Sequence, residues 1–238
     1  MDTIKVEKKN TLLVAHRGLS GIERENTVAA FIAAGNRSYY GIETDIYRTA
    51  DGKFAVSHDK TLQRVAGVDI RIEDTTLADL QKIALLDRDG NRRNALRVPS
   101  LEEYIEVCKR YGKHAVPELK SNFTEEELAR IVAIFDEAEY LEHTTFIAFG
   151  YENLKRLRAI RPEQSMQYLF SEFTNEIVTR VLEERFDVDV HHAALTEERV
   201  QMLHGAGLRI NCWTVDKKEK AELLAAWGVD YITTNILE

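Results

Sequence analysis

The sequence has 238 residues, of which 44% are hydrophobic and 30% are charged, and its formal net charge is −8. This composition is typical of a soluble globular protein with one large core, and α/β barrels of this length are ordinary single domains. The negative charge and the scattered basic residues argue against a nucleic-acid partner. The two cysteines, Cys108 and Cys212, are too few for a disulfide framework and lack the spacing of a zinc site.

The start of the sequence mixes acidic and basic side chains and lacks the apolar core of a signal peptide. No stretch approaches the roughly 18 consecutive apolar residues that a membrane span requires. We therefore expect no membrane span. The default expectation is a cytoplasmic enzyme or binding protein.

Short apolar, β-branched runs alternate with stretches of helical periodicity along the whole sequence. Eight such runs are predicted strands: 12–15, 42–46, 115–118, 145–148, 166–169, 188–191, 208–213 and 231–233. The last five begin at 145, 166, 188, 208 and 231, which gives steps of 21, 22, 20 and 23 residues. Such a regular alternation predicts a closed (β/α)8 TIM barrel, with residues 1–238 forming one domain.

Seven helices are predicted between these strands: 27–36, 101–111, 124–139, 152–160, 175–185, 197–204 and 217–227. Thr124 and Thr196 precede acidic residues and are predicted helix caps. Pro117 lies inside the third predicted strand, where a proline cannot donate to a central ladder. A bulge near the end of that strand would accommodate it.

One segment breaks the regular alternation. Between the second strand and the helix that begins at Leu101 lie more than 50 residues, too many for a bare loop, so residues 59–99 are predicted to form a small insertion. Asp51-Gly52 is predicted to be a turn, and residues 77–86 have helical spacing. We expect residues 59–99, the cap segment, to cover the C-terminal face of the barrel.

Active sites of such barrels lie at the C-terminal ends of the strands, so the residues found there are the candidates for chemistry. The first strand ends at His16 and Arg17. The second contains Glu43 and Asp45, which point to the same face and lie roughly 6.6 Å apart along the backbone. The third ends at Glu118, with Lys120 two residues further on, and the seventh ends at Trp213. His58 follows the short hairpin after the second strand.

These residues would place three carboxylates, two cations and two histidines together at the C-terminal end of the barrel, its mouth. Three buried carboxylates repel one another unless a positive charge lies between them, and oxygen ligands without cysteine favour Ca²⁺, Mg²⁺ or Mn²⁺. Arg17 and Lys120 suit phosphate oxygens. His16 and His58 can then serve as general base and general acid. Cleavage of a phosphodiester follows from these parts.

Six motifs, in order along the chain, carry a family resemblance: His16-Arg17-Gly18, Glu25-Asn26-Thr27, Glu43-Thr44-Asp45, His58-Asp59, Glu118-Leu119-Lys120 and Trp213-Thr214-Val215-Asp216. Together they resemble the glycerophosphodiester phosphodiesterase family. The resemblance implies metal-dependent hydrolysis of a small-molecule glycerophosphodiester to glycerol 3-phosphate and an alcohol. It also implies that Glu43, Asp45 and Glu118 are the ligands of one divalent cation, Ca²⁺ or Mg²⁺, with Mn²⁺ as a further possibility. His16 and His58 would be the acid/base pair. The substrate contacts would be Arg17, Lys120 and Trp213.

Two positions depart from the family pattern. Ala148 stands where family members often have serine, and Asn235 stands where many have aspartate; both departures are expected to alter the shape or polarity of the pocket floor. Within the second motif, Asn26 is predicted to cap the first helix, and Glu25 to buttress the mouth by hydrogen bonding.

Three alternatives to this activity fit the sequence less well. A lysophospholipase D or a cyclising phospholipase on the same barrel would need an apolar lip, and residues 70–86 are strongly charged. A catalytically idle barrel that binds a polyol phosphate would be expected to lack a histidine or a ligand, and the sequence retains them. Metal-independent phosphoinositide cleavage conflicts with the three carboxylates.

Overall fold

A computed structural model describes residues 2–238. Along these residues the strands are β1 Leu12–Ala15, β2 Gly41–Arg48, β3 Phe54–Val56, β4 Leu85–Leu86, β5 Arg92–Arg93, β6 His114–Leu119, β7 Thr145–Ala148, β8 Ser165–Phe170, β9 Asp187–His191, β10 Ile210–Trp213 and β11 Tyr231–Thr234. The α-helices are α1 Val28–Gly35, α2 Gln63–Ala66, α3 Leu77–Leu80, α4 Leu101–Tyr111, α5 Glu125–Glu137, α6 Tyr151–Ile160, α7 Asn175–Glu184, α8 Glu197–Gly205 and α9 Lys218–Trp227.

Eight parallel strands close into a barrel in the order β1-β2-β6-β7-β8-β9-β10-β11. Closure occurs at β1, where Leu12 pairs with Tyr231 of β11 on one side and Val14 pairs with Gly41 of β2 on the other. Helices lie between successive barrel strands. The predicted (β/α)8 fold is therefore confirmed, and each barrel strand overlaps its predicted run.

Strand alternation divides the apolar side chains into two layers. Outward-facing residues pack against the helices, as where Phe135 of α5 meets Phe146 of β7 edge to face, with ring centroids 5.3 Å apart. A smaller cluster, Val14, Val116, Ile147 and Leu169, fills the barrel interior. The polar residues of the mouth stand above this inner cluster.

Helix ends follow the local chemistry of the sequence. Ser100 and Glu103 form a reciprocal capping box at α4, and Thr124 and Glu127 form another at α5. The predicted cap Thr196 accepts a hydrogen bond from the backbone of Arg199 at α8.

Pro117 lies in an unbroken strand, so the predicted bulge is wrong. β2 and β6 keep continuous register, with Thr44 paired to Pro117. The backbone N–H groups of successive residues in β6 point alternately to its two neighbouring strands, and those of His114 and Lys120 both point to β2. Pro117 is an odd number of residues from each of them, so its ring nitrogen faces β7. The proline therefore removes no hydrogen bond from the β2–β6 ladder.

The hydroxyl of Tyr104 is inserted into that same ladder. It donates to the carbonyl of Ile42 at 2.6 Å and accepts from the N–H of Val116 at 2.9 Å, in a fully buried position. The hydroxyl of Tyr39 is also buried, but it has no hydrogen-bond partner among residues 2–238. The two tyrosines form a matched pair of buried hydroxyls, one satisfied and one not.

Tyr104→Phe is expected to lower the free energy of unfolding by about 1–3 kcal/mol, because it leaves two buried backbone groups unpaired. Tyr39→Phe, the matched control, should change it by less than about 0.5 kcal/mol or raise it, because no hydrogen bond is lost. Urea unfolding monitored by circular dichroism measures both. Equal losses in the two variants would contradict the role assigned to the Tyr104 hydroxyl.

The cap segment has its own apolar cluster, in which Leu62, Val65, Ile72 and Leu80 pack against Tyr47 of β2. Two ion pairs tie the segment to residues at or beyond the C-terminal ends of the strands. Arg64 pairs with Glu25, which comes after β1, at 2.7 Å, and Glu73 pairs with Arg48, the last residue of β2, at 3.3 Å. None of the helices in residues 2–238 is both long and apolar enough to cross a lipid bilayer.

Only the first turn of the predicted helix at 77–86 is present. α3 ends at Leu80, and Leu85–Leu86 instead pairs antiparallel with Arg92–Arg93. The turn between them is fixed by Asp87, whose side chain accepts hydrogen bonds from the backbone of Asp89 and Asn91. This hairpin outcompetes the weak helical propensity of a ten-residue segment.

Candidate active site

Three carboxylates converge inside the barrel mouth. Glu43 and Asp45 are two residues apart on β2, and Asp45 is in register with Glu118 on β6. One oxygen from each of the three lies within 4.8 Å of the others. Their exposures are 3%, 0% and 8%, so this carboxylate cluster is buried.

The electrostatics of the carboxylate cluster are unfavourable for three negative charges. Burial and then the charge of Asp45 raise the pKa of Glu43 well above its ordinary value and that of Glu118 to about 7. Burial also acts to raise the pKa of Asp45, but the cations of Arg17 and Lys120 outweigh it and lower the pKa. Oδ1 of Asp45 has no hydrogen-bond partner in the described part of the chain. A set of buried oxygens with an orphaned atom fits a hard divalent cation.

Arg17 is held at the mouth by contacts with three acids. Its backbone N–H donates to Glu43 at 2.7 Å, and its guanidinium lies 2.8 Å from Glu25 and 3.5 Å from Asp45. The backbone is left-handed at Arg17, with φ 54°, and at Gly18, with φ 74°. A Cβ at Gly18 would lie 2.6 Å from the backbone of Ala30, so this position requires glycine.

Lys120 faces the carboxylate cluster from the end of β6. Its ammonium lies 3.0 Å from Glu118 and 3.5 Å from Asp45. Only 15% of its side chain is exposed, so its charge is poorly screened by solvent.

His16 is fixed by an amide. Its Nδ1 lies 2.8 Å from Oδ1 of Asn235, whose Nδ2 donates to Asp216 at 2.6 Å. Because a carboxylate only accepts, the amide oxygen must face His16, so Nδ1 of His16 carries the proton. Nε2 of His16 then points to Glu43 at 4.0 Å. Burial, with Arg17 second, lowers the pKa of His16 to about 4.

His58 is fixed by a carboxylate instead. Its Nδ1 lies 2.7 Å from Asp59, and Asp59 in turn accepts a hydrogen bond from Arg64 at 2.6 Å. Arg64 also donates to Glu25, which connects His58 to the residues that hold Arg17. The two histidines therefore have chemically different supports.

The predicted residues surround one small cavity of about 60 Å³. Seven titratable residues line it. Six are predicted site residues, His16, Arg17, Glu43, His58, Glu118 and Lys120, and the seventh, Asp189, was not predicted. Trp213 also lines it, and its indole N–H donates to the backbone carbonyl of Asp189 at 3.2 Å. A larger groove of about 820 Å³ shares His58, Glu118 and Lys120 with this cavity and extends outward past Tyr151.

The glycerophosphoryl diester phosphodiesterase family model matches residues 16–238. The chain belongs to this family. Relatives include the glycerophosphodiester phosphodiesterase of Caldanaerobacter subterraneus, 29% identical over 231 residues and covering 94% of both chains. That of Bacillus subtilis is 30% identical, covering 94% of this chain and 83% of the relative. The predicted family and enzyme class are confirmed.

A solved structure agrees with the fold. A phosphodiesterase from Oleispira antarctica in complex with the product sn-glycerol-3-phosphate is 26% identical to this chain, with a TM-score of 0.84. The similarity covers 94% of this chain and 92% of that structure.

Two predictions about the second family motif have different outcomes. Glu25 buttresses the mouth as predicted, by accepting hydrogen bonds from Arg17 and Arg64, whereas the prediction for Asn26 is wrong. Asn26 does not cap α1, because Thr27 does so through Ala30. Asn26 is instead buried with φ 52°, donates to Asp45 at 2.7 Å and accepts from Thr44. It orients a member of the carboxylate cluster.

Sequence reasoning missed several residues that hold the site. Asp59 has a sequence signal, since it adjoins His58 in the family motif. Asn235 was expected to shape the pocket floor, but its side chain hydrogen bonds His16 from 219 positions away in the chain, which no local pattern reveals. Asp189 is marked only by strand alternation, as a lone acid between Val188 and Val190.

Proposed function

We propose that the protein is a metal-dependent glycerophosphodiester phosphodiesterase that releases glycerol 3-phosphate and an alcohol. The observation that carries this proposal is the buried carboxylate cluster, with oxygens within 4.8 Å of one another and two cations against it. The names of the relatives and the product bound to the Oleispira antarctica structure support the substrate class.

Glu43, Asp45 and Glu118 would hold one divalent cation, Ca²⁺ or Mg²⁺, with Mn²⁺ also suited to oxygen ligands. When bound, the cation supplies positive charge against the phosphate oxygens. Oδ1 of Asp45 accepts no hydrogen bond from the described residues and lies 3.5 Å from the Lys120 ammonium, which supports this assignment, because this oxygen is open to a cation.

Arg17 and Lys120 are the proposed phosphate contacts. A guanidinium and an ammonium both bind phosphate oxygens, and in this buried site their charges stabilise the negative charge of the transition state. Glu25 keeps the Arg17 guanidinium in place at 2.8 Å.

The supports of the two histidines suggest their roles. Nδ1 of His16 donates to an amide oxygen, which leaves Nε2 with a free lone pair, so we assign His16 as the general base. His58 lies against the Asp59 carboxylate, which offsets a positive charge on the ring, so we assign His58 as the general acid. Trp213 is the proposed contact for the apolar side of the glycerol or alcohol.

The cap segment is proposed to be part of the same domain as the barrel, in one unit of residues 1–238. Its apolar cluster includes Tyr47 and Ala55, which belong to β2 and β3. Separating the cap segment from the barrel would expose this shared apolar surface.

The test is release of glycerol 3-phosphate from glycerophosphocholine and glycerophosphoethanolamine in the presence of Mg²⁺ or Ca²⁺, measured with a coupled glycerol-3-phosphate dehydrogenase. We expect turnover of both. Absence of release by the folded, metal-loaded protein would overturn the proposal. Parallel incubation with lysophosphatidylcholine separates this activity from that of a lysophospholipase D, for which the lipid would be the better substrate.

A further inference from the structure

Asp189 is a buried acid to which the proposed mechanism gives no role. It lies on β9, four strands around the barrel from β2 and therefore across the interior from Glu43 and Asp45. The residue is 1% exposed, and its Oδ1 has no hydrogen-bond partner among residues 2–238. A buried polar atom without a partner is costly, so this one calls for an explanation.

The side chain of Asp189 faces the barrel interior. Its neighbours Val188 and Val190 are fully buried in the outer core, and successive residues of a strand point to opposite faces. Asp189 is also in register with Leu169, which belongs to the inner cluster. It lines the same 60 Å³ cavity as the two histidines and the cations.

Other polar side chains inside the barrel are satisfied by one another. Asn211 donates to Gln167 at 3.4 Å and accepts from Thr233 at 3.2 Å. Asp189 is in register with Asn211 yet does not join this network through Oδ1. The carboxyl is thus free to pair with a group that enters the cavity.

The size and walls of the cavity restrict that group. Its volume of about 60 Å³ is small beside the 820 Å³ of the neighbouring groove, so it suits a compact hydroxymethyl group better than a bulky quaternary ammonium. Ile147, Leu169 and Trp213 form apolar walls beside Asp189. Burial and the charge of Glu118 raise the pKa of Asp189 well above its ordinary value.

We propose that Asp189 hydrogen bonds a free hydroxyl of the glycerol portion of the substrate and so selects polyol phosphodiesters over alkyl ones. This proposal rests on the proposed function. The alcohol that leaves would then lie in the larger groove, toward Tyr151.

The test measures kcat/KM for each of several variants with each of three substrates. Glycerophosphocholine is compared with the phosphocholine esters of propane-1,2-diol and propane-1,3-diol, each of which lacks one of the two free hydroxyls. In the wild type, kcat/KM should fall roughly 10- to 100-fold for the analogue that lacks the hydroxyl bound by Asp189. In Asp189→Leu that preference should shrink to within about threefold, while Asp189→Asn, which keeps hydrogen-bonding atoms, should retain most of it.

Asn211→Leu is the matched control, since it removes a neighbouring buried polar side chain that does not line the cavity. Asn211→Leu should keep the full wild-type preference for glycerophosphocholine over the analogue. A wild type that turns over both analogues as fast as glycerophosphocholine overturns the proposal without any variant, as does an unchanged preference in Asp189→Leu. Failure of the proposed function is distinct, because the wild type would then release no glycerol 3-phosphate, and the Asp189 proposal would fall with it.

Discussion

Treatment with EDTA is expected to abolish hydrolysis of glycerophosphodiesters, and addition of Ca²⁺, Mg²⁺ or Mn²⁺ should restore it. The carboxylate cluster is buried and its oxygens lie within 4.8 Å of one another, so without a cation the negative charges repel and the substrate phosphate meets acids as well as Arg17 and Lys120. The coupled assay measures activity before and after chelation. A metal ion should also raise the Tm, because binding to the folded state alone stabilises it.

Glu43→Gln tests which residues hold the ion. It should weaken cation binding by at least about 10-fold, the lower end of the loss seen for residues that only support ligands. Glu127→Gln is the control, because Glu127 pairs with Arg48 outside the carboxylate cluster, at 3.4 Å, and glutamine preserves its capping box. Isothermal titration calorimetry on folded variants gives the affinities. Full activity of the metal-free enzyme, or unchanged affinity in Glu43→Gln, would place the ion elsewhere or remove it from the reaction.

Local patterns in the sequence predicted both the barrel and the meeting of its acidic side chains at the C-terminal end. The spacing of 20 to 23 residues between later strands reflects one strand and one helix per unit, and alternation alone puts Glu43 and Asp45 on the same side of β2. Both features depend on residues close together in the chain. For that reason both could be predicted from a single sequence.

Features that depend on distant or competing contacts were not predictable. The hydrogen bond between His16 and Asn235 joins the two ends of the barrel sequence, and it forms because β1 and β11 close the barrel. Residues 77–86 have helical spacing, yet the helix ends at Leu80 and the last two residues, Leu85–Leu86, pair with Arg92–Arg93. Asn26 matched a capping residue in type, but its left-handed backbone turns the side chain toward Asp45.

His16→Ala and His58→Ala are each expected to slow turnover of glycerophosphocholine by about 10²-fold or more, because each removes a proton transfer from the reaction. His143→Ala, at a histidine outside the pocket-lining residues, is the control and should retain wild-type rates. Near-wild-type turnover in either His16→Ala or His58→Ala would remove that residue from the mechanism.

An activated substrate separates the two histidine roles. 4-Nitrophenolate leaves without protonation, so bis(4-nitrophenyl) phosphate needs a general base but no general acid. With this substrate His58→Ala should recover most of the activity that it loses on glycerophosphocholine, whereas His16→Ala should stay impaired. Asp59→Asn should follow His58→Ala with a smaller loss, because it removes only the carboxylate that lies 2.7 Å from Nδ1 of His58. Recovery in His16→Ala instead would reverse the two assignments, and the amide of Asn235 would then support the acid.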